Sequence, residues 1–376
     1  MKVDHFILQG NQFTYSKKEI TRIEPISFIL TFTTRTILEN PNSLDEIRKI
    51  YPGVPIVSCS TSGEIYEAEV LDNSITGVAI QLEKTSFEIE KVNVKDFSNS
   101  HEAGVKLANK LSSKNLKHLF ILSDGWIVSG PELIEGLYSK IDKEVSISGG
   151  MAGDGANFSK TVVGLDTDIK SGNICAIALY GDHIQIGFGS HGGWDEIGSE
   201  MEITRANGRV VYELDHKPAL DLYKSHLGND VLGLPGTALL YPVSISYGKQ
   251  SEVFVRTVHN IDEKSKSIIL GAEINEGETL SFMRAEFDDP FEGVVNASLS
   301  ALENVSEPQL AIIISCIGRK LLFGQSIQTE IDIIKEGLGN SPTLIGFYSY
   351  GEICPTKKTF AQLNHQMITI TTLSES

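Results

Sequence analysis

The stretch VPIVSCSTSGE, residues 54–64, carries the pattern that decides the fold. It is a β-rich run that ends in small polar residues and then in Gly63 followed by the acid Glu64. The same order recurs in VSISGGMAGD, residues 145–154, and in TLIGFYSYGE, residues 343–352. Because the glycine–acid pair returns in register each time, we interpret the three stretches as copies of one structural unit.

Each copy lies in the same larger context. The shared parts are an apolar run (26–32, 118–122, 310–315), a helical segment (43–51, 131–141, 327–338) and a returning strand (74–82, 173–180, 367–373). A strand–helix–strand crossover predicts parallel neighbours, and the returning strand adds an antiparallel one. We therefore predict an α/β protein (α+β mixed), with mixed β-sheets covered by helices.

The segment between the second and third copies has a different, β-rich character. A hairpin turning at Asn207-Gly208 is its clearest signal. Glycines cluster over 192–200, where no strand or helix pattern continues. We place the domain boundary there, between a first domain at 1–195 and a second at 196–376.

Composition excludes several classes of protein. The 376 residues include 32 Lys+Arg and 49 Asp+Glu, a net charge of −17, which argues against binding to nucleic acid or to an anionic membrane. Four cysteines are too few for a disulfide scaffold. The apolar run near the N-terminus is too short for a signal peptide, and no stretch is long enough to span a membrane. We expect a cytoplasmic protein.

Motifs of common cofactor and catalytic sites are missing or incomplete. GFGSHG (187–192) fits G-x-G-x-x-G, but no helix pattern follows it, and neither a P-loop nor G-x-S-x-G occurs. The nine histidines show no metal-ligand spacing, so we expect no metal and no cofactor. Cys59 and Cys316 end predicted strands, but a nucleophilic thiol needs a group that lowers its pKa. We predict no enzyme, with a cysteine-dependent enzyme as an alternative.

Two segments are candidates for ligand binding. GGMAGDG (149–155) has four glycines, whose backbone amides would suit a carboxylate; a tight turn explains the same composition. In SCIGRK (315–320), Gly318 leaves Arg319 free to point into a cleft, where its planar fork suits a carboxylate. A structural ion pair between Arg319 and Glu352 is the alternative.

Several stretches resemble the FIST proteins, a sensory family with named N-terminal and C-terminal halves. The N-terminal likeness is carried by SCSTSGEI (58–65) and ISGGMAGDGANF (147–158). The C-terminal likeness is carried by VVYELDHKPALDLYKSHLG (210–228), FVRTVHNIDEKSKSIILGAEINEGETL (254–280), and SCIGRKLLFGQ with GFYSYGEICP (within 315–355). The matching stretches keep the family's order over nearly the whole chain.

The resemblance implies an intracellular module that senses small molecules such as amino acids. Family members often carry output domains, but the two halves use all 376 residues here, so we expect a separate signalling protein as partner. The alternative is an interaction scaffold whose acidic surface meets a basic partner.

We expect the ligand between the glycine-rich strand ends, around one shared cavity. Acids there would meet an ammonium group, and backbone amides a carboxylate. The predicted ligand-binding residues are Ser60, Glu64, Gly149, Gly150, Asp154, Cys316, Arg319 and Glu352.

Overall fold

A computed structural model describes residues 1–10, 12–15, 25–234, 236–246, 253–285, 291–305, 307–356 and 359–376. Within them the strands are β1 (Lys2–Gln9), β2 (Gln12–Tyr15), β3 (Phe28–Thr34), β4 (Ile56–Thr61), β5 (Glu64–Tyr66), β6 (Glu69–Leu71), β7 (Ile75–Gln81), β8 (Ser86–Asn93), β9 (Leu116–Ser123), β10 (Ser146–Met151), β11 (Val163–Leu165), β12 (Asp168–Lys170), β13 (Asn173–Tyr180), β14 (Ile184–His191), β15 (Trp194–Asn207), β16 (Val210–Leu214), β17 (Lys217–Pro218), β18 (Val243–Ser246), β19 (Val253–Arg256), β20 (Val258–Asp262), β21 (Ser267–Leu270), β22 (Thr279–Ala285), β23 (Leu310–Cys316), β24 (Thr343–Ser349), β25 (Gly351–Thr356), β26 (Thr359–Asn364) and β27 (Ile368–Glu375).

The helices in the same residues are α1 (Arg35–Leu38), α2 (Asp45–Ile50), α3 (Ser100–Leu111), α4 (Gly130–Tyr138), α5 (Ala219–Leu227), α6 (Glu292–Ser300), α7 (Ile317–Phe323) and α8 (Ile327–Leu338). Short 3₁₀ helices occupy Val94–Asp96, Gly228–Gly233, Gly236–Leu240 and Gly324–Ser326. The α/β class with mixed sheets is confirmed.

Three sheets repeat one topology. In unit one β3 runs parallel to β4 and antiparallel to β7. In unit two β9 bears the same relation to β10 and β13. In unit three β23 bears it to β24 and β27. Helices connect each parallel pair, so the repeat expected from the glycine–acid pattern is present in the backbone.

The units exchange strands in a closed ring. After β4, the short strand β5 joins the sheet of unit three, where Glu64 pairs with Phe347. After β24, β25 joins the sheet of unit two, where Glu352 pairs with Gly150. After β10, β11 joins the sheet of unit one by pairing with β4. Each unit therefore completes the sheet of another unit.

This exchange mixes the two predicted domains. The sheet ordered β14-β27-β23-β24-β5-β6 and the sheet ordered β26-β25-β10-β9-β13-β8 both combine strands from before residue 195 with strands from after it. The position of a boundary at 195/196 stays a prediction.

The segment between units two and three forms an eight-stranded sheet, ordered β19-β18-β22-β15-β16-β21-β20, with the eighth strand, β17, paired to β16. The hairpin at Asn207-Gly208 is confirmed between β15 and β16. The expectation that no strand continues over 192–200 is wrong, because β15 begins at Trp194. The pairing of β15 with β22 shifts register between Ile197 and Met201, around a left-handed Gly198, and this irregularity interrupts the sequence pattern.

Apolar stripes fix the helices on the sheets. Leu133, Ile134 and Leu137 of α4 are buried in the core of unit two. On α8 the buried stripe is Ile327, Ile331, Ile334 and Leu338, and one acid, Glu330, is buried among them. No helix in the described residues is long and apolar enough to cross a membrane.

Candidate functional site

The three glycine–acid turns meet at one place, which we call the hub. It consists of residues 61–64, 151–154 and 349–352, which begin at the last residues of β4, β10 and β24. Backbone hydrogen bonds join the turns and the strand ends pairwise: Ser62 N to Tyr348 O (2.8 Å), Tyr348 N to Gly63 O (2.8 Å), Tyr350 N to Met151 O (3.1 Å) and Gly153 N to Ser60 O (2.8 Å). The turns lie together because each parallel strand pair delivers its carboxyl end to the same place.

The hub is packed where its turns touch. A Cβ atom on Gly153 would lie 2.3 Å from Ser62 Oγ, and one on Gly150 would lie 2.8 Å from Ile314 Cγ2. Gly149 has a φ of +141°, and a Cβ there would lie 1.9 Å from the Ile121 carbonyl oxygen. These glycines allow strands and turns to approach closely, so the tight-turn interpretation accounts for them.

Glu64 and Glu352 occupy equivalent, fully buried positions. Thr61 Oγ1 donates to Glu64 Oε1 at 2.6 Å, and Ser349 Oγ donates to Glu352 Oε1 at 2.5 Å. The second oxygen of each acid accepts a backbone N–H, from Ser74 and from Met367. Burial raises the pKa of Glu64 to about 7 and that of Glu352 to about 8. Both acids are thus satisfied within the fold.

Asp154, the third acid, differs from the other two. Its Oδ1 accepts a hydrogen bond from Arg35 Nε at 3.0 Å, and its Oδ2 accepts one from Ser159 Oγ at 3.1 Å. Ser60 also has a structural partner, because its Oγ accepts from Val162 N at 3.0 Å. Asp154 is therefore the hub acid that is held in an ion pair.

Arg319 forms its ion pair with an acid that the sequence analysis did not select. Its Nε donates to Glu330 Oε1 at 2.7 Å, and both side chains are buried. The alternative of an Arg319–Glu352 ion pair is thus wrong, since α8 supplies the partner. Cys316 lies beside Glu352, and burial raises the pKa of its thiol well above the usual range. Within the described residues, no cluster of three or more His, Cys, Asp or Glu is placed to hold a metal ion.

A cavity of about 910 Å³ lies at the edge where unit one meets unit two. None of the eight predicted ligand-binding residues lines it. We call it the interunit cleft: its walls are the end of β8 with the following 3₁₀ turn, β12 with its flanking residues, the end of α1, Arg48 and Lys160. Its size is that of a typical small-molecule site.

Charged side chains of both signs line the interunit cleft. The cations are Arg48, Lys91, Lys95, Lys160 and Lys170, and the acids are Glu39, Asp96 and Asp168. Apolar groups, including Leu38 and Ile169, lie between them. Sequence reasoning missed this site because its lysines fall in no local motif.

A chain of alternating charges connects the interunit cleft with the hub. Lys160 Nζ contacts Glu39 Oε1 at 2.5 Å, and Arg35 Nη1 donates to Glu39 Oε2 at 2.8 Å. Arg35 also holds Asp154 at the hub. We call Lys160–Glu39–Arg35–Asp154 the relay. A ligand that contacts Lys160 in the cleft is therefore three ion pairs away from the point where the sheets meet.

Comparison with known proteins agrees with this architecture. The FIST N domain matches residues 27–217, and the FIST C domain matches residues 219–355. An uncharacterized protein of Methanocaldococcus jannaschii, MJ1623, is 23% identical over 381 residues, covering 89% of this chain and 71% of that protein. FIST domains are associated with sensory signal transduction. The chain belongs to the FIST family.

Proposed function

We propose that this protein is a small-molecule sensor whose ligand occupies the interunit cleft. One observation carries the proposal: a cavity of about 910 Å³ connects through the relay to the hub. Gly153 in the hub, with Gly149 and Gly150 just before it, leaves no space for even a methyl group, which favours the cleft over the hub as the binding site. The association of the family with sensory signalling supports the same function.

An amino acid is one ligand that the cleft's charges suit. Lysines would meet its carboxylate, and an acid such as Asp96 its ammonium group. A separate signalling protein would then receive the signal. The proposal also places the protein in the cytoplasm, which the four free, buried cysteines support.

The relay gives the sensor a way to respond. When an anionic ligand attracts Lys160, Glu39 loses one of its two cationic partners and turns more fully to Arg35. Arg35 donates to both Glu39 and Asp154, so a stronger pair between Arg35 and Glu39 weakens the pair between Arg35 and Asp154 at the hub. Occupancy of the cleft would thereby change the packing where the three sheets meet.

The test is a thermal-shift screen of amino acids and organic acids, followed by calorimetry. Thr167 lines the cleft in an exposed turn, so Thr167→Trp would fill part of the cleft without disturbing the core. Ser113→Trp makes the matched change in an exposed position outside the cleft.

We expect at least one compound to raise the thermal stability of the wild type and of Ser113→Trp, but not that of Thr167→Trp. A ligand that stabilises all three proteins equally would contradict the cleft as its site. A folded protein that responds to no compound in the panel would contradict the function.

A further inference from the structure

The interunit cleft has the opposite charge to the chain that builds it. Five cations and three acids line it, leaving a surplus of two positive charges. The whole chain has a net charge of −17. A concave site of one sign raises the local concentration of small ions of the other sign. The cleft therefore favours anions, although the protein as a whole repels them.

One of these two surplus charges lies where two ammonium groups share one acid. The other belongs to Arg48, which pairs with Asp45 outside the lining of the cleft. Lys170 Nζ contacts Asp168 Oδ1 at 2.6 Å, and Lys91 contacts Asp168 Oδ2. Their combined charge is only half neutralised by this carboxylate. Lys95, on the adjoining 3₁₀ turn, forms no ion pair with any residue that the structure describes. Lys91, Lys95 and Lys170 thus line the same cavity as Asp168 and Asp96, three cations against two acids.

Two of the three acids that line the cleft are each paired with two cations. Asp168 is held by two lysines, and Glu39 is held by Arg35 and Lys160. Asp96 is left to meet a positive group on a ligand. A net-neutral zwitterion would bring one carboxylate and leave part of the positive surplus unmatched, whereas a dianion would neutralise it.

Resting on the proposed function, we propose that the interunit cleft binds small dianions, either dicarboxylates or phosphate monoesters. One anionic group of the ligand lies between Lys91 and Lys170, and the other is met by Lys95. The charge of the ligand also attracts Lys160, which lines the same cleft. Apolar Ile169 and Leu38 contact the short carbon chain that joins the two groups. Dicarboxylate and phosphate ester share this chemistry, so the experiment includes both.

The experiment is isothermal calorimetry on the full chain at low salt with four probes. Succinate and glycerol phosphate carry two negative charges, butyrate carries one at the same chain length as succinate, and alanine is net neutral. We expect the better dianion to bind about tenfold more tightly than butyrate, equivalent to about 1.4 kcal/mol. Because the lysines are partly exposed, the preference shrinks at high salt.

Variants locate the contacts. Lys95→Gln and Lys170→Gln each weaken binding of the dianion about threefold, which is the size expected for one exposed ion pair. The double variant weakens it about tenfold. Lys117→Gln is the control, since Lys117 is exposed, pairs with Asp182 and lies outside the cleft.

Equal binding of succinate and butyrate, or unchanged dianion binding in the double variant, would overturn the inference. If a monoanion or a neutral compound binds instead and Thr167→Trp abolishes its binding, the proposed function stands and the dianion preference fails. If none of the four probes binds and no compound in the thermal-shift screen stabilises the protein, both proposals fail together.

Discussion

Replacing Glu352 by Gln will remove a defined part of the pH dependence of stability. Glu352 is fully buried in the hub, where burial raises its pKa from 4.5 to about 8. Between these two values the unfolded chain releases the proton and the folded protein keeps it. Rising pH therefore favours the unfolded state, and the stability contributed by Glu352 is complete below pH 4.5 and is lost as pH approaches 8.

The size of the effect follows from the two pKa values. Between pH 5.5 and pH 7.5, linkage gives a loss of roughly 2–3 kcal/mol in the free energy of unfolding from Glu352. Gln carries no titrating proton and has nearly the same shape, so Glu352→Gln lacks this loss. Glu64, with a pKa of about 7, adds a similar loss that both proteins share.

The assay is urea unfolding at pH 5.5 and 7.5, followed by tryptophan fluorescence, with equal m-values required for the comparison. The exposed Glu336→Gln serves as the matched control and should keep the wild-type pH dependence. The reasoning is refuted if Glu352→Gln loses as much stability between the two pH values as the wild type does.

Three further predictions concern packing, the buried ion pair and the thiols. Gly149→Ala will not give folded protein, because the new methyl group would overlap the Ile121 carbonyl oxygen and the backbone φ of +141° is strained for alanine. Gly181→Ala, which also has a positive φ but lies in open space, will remain folded. Circular dichroism measures the difference. Glu330→Ala will lower the free energy of unfolding by about 3–5 kcal/mol, because it leaves Arg319 buried without its acid. Asp221→Ala, which removes the exposed ion pair with Lys266, will lower it by about 1 kcal/mol or less. Urea unfolding measures both values. The four cysteines will react with iodoacetamide only after unfolding, because all are buried and burial raises the pKa of each thiol. Mass spectrometry of native and denatured samples measures the alkylation.

Contradicting results are equally specific. A soluble, cooperative Gly149→Ala protein would mean that β9 and β10 are not as close as described. Equal losses at the buried and exposed pairs would mean that Arg319 reaches water. Rapid alkylation of a native thiol would revive the cysteine-dependent alternative.

The repeated unit was predictable because its signals are local. The glycine–acid pair, the preceding β-rich run and the helix periodicity all lie within short stretches, such as 54–64. The exchange of strands between units was not predictable. The strand β5 has only three residues, too few for a pattern that names its partner, and that partner is β24 near the other end of the chain.

The partner of Arg319 left a signal that could have been found. Glu330 follows Ile327 by three residues and precedes Ile331 and Ile334, so it falls on the apolar stripe of its helix. An acid on such a stripe is buried and needs either a cation or hydrogen-bond donors around it. The cleft left no such signal, since its lysines become neighbours only when the edges of two sheets meet.

A crystal structure of the protein with succinate would test the central claim most directly. The account predicts density for the dicarboxylate in the interunit cleft, with its two ends at Lys95 and at the pair Lys91 and Lys170. Density at the hub instead, between Glu352 and Arg319, would contradict it.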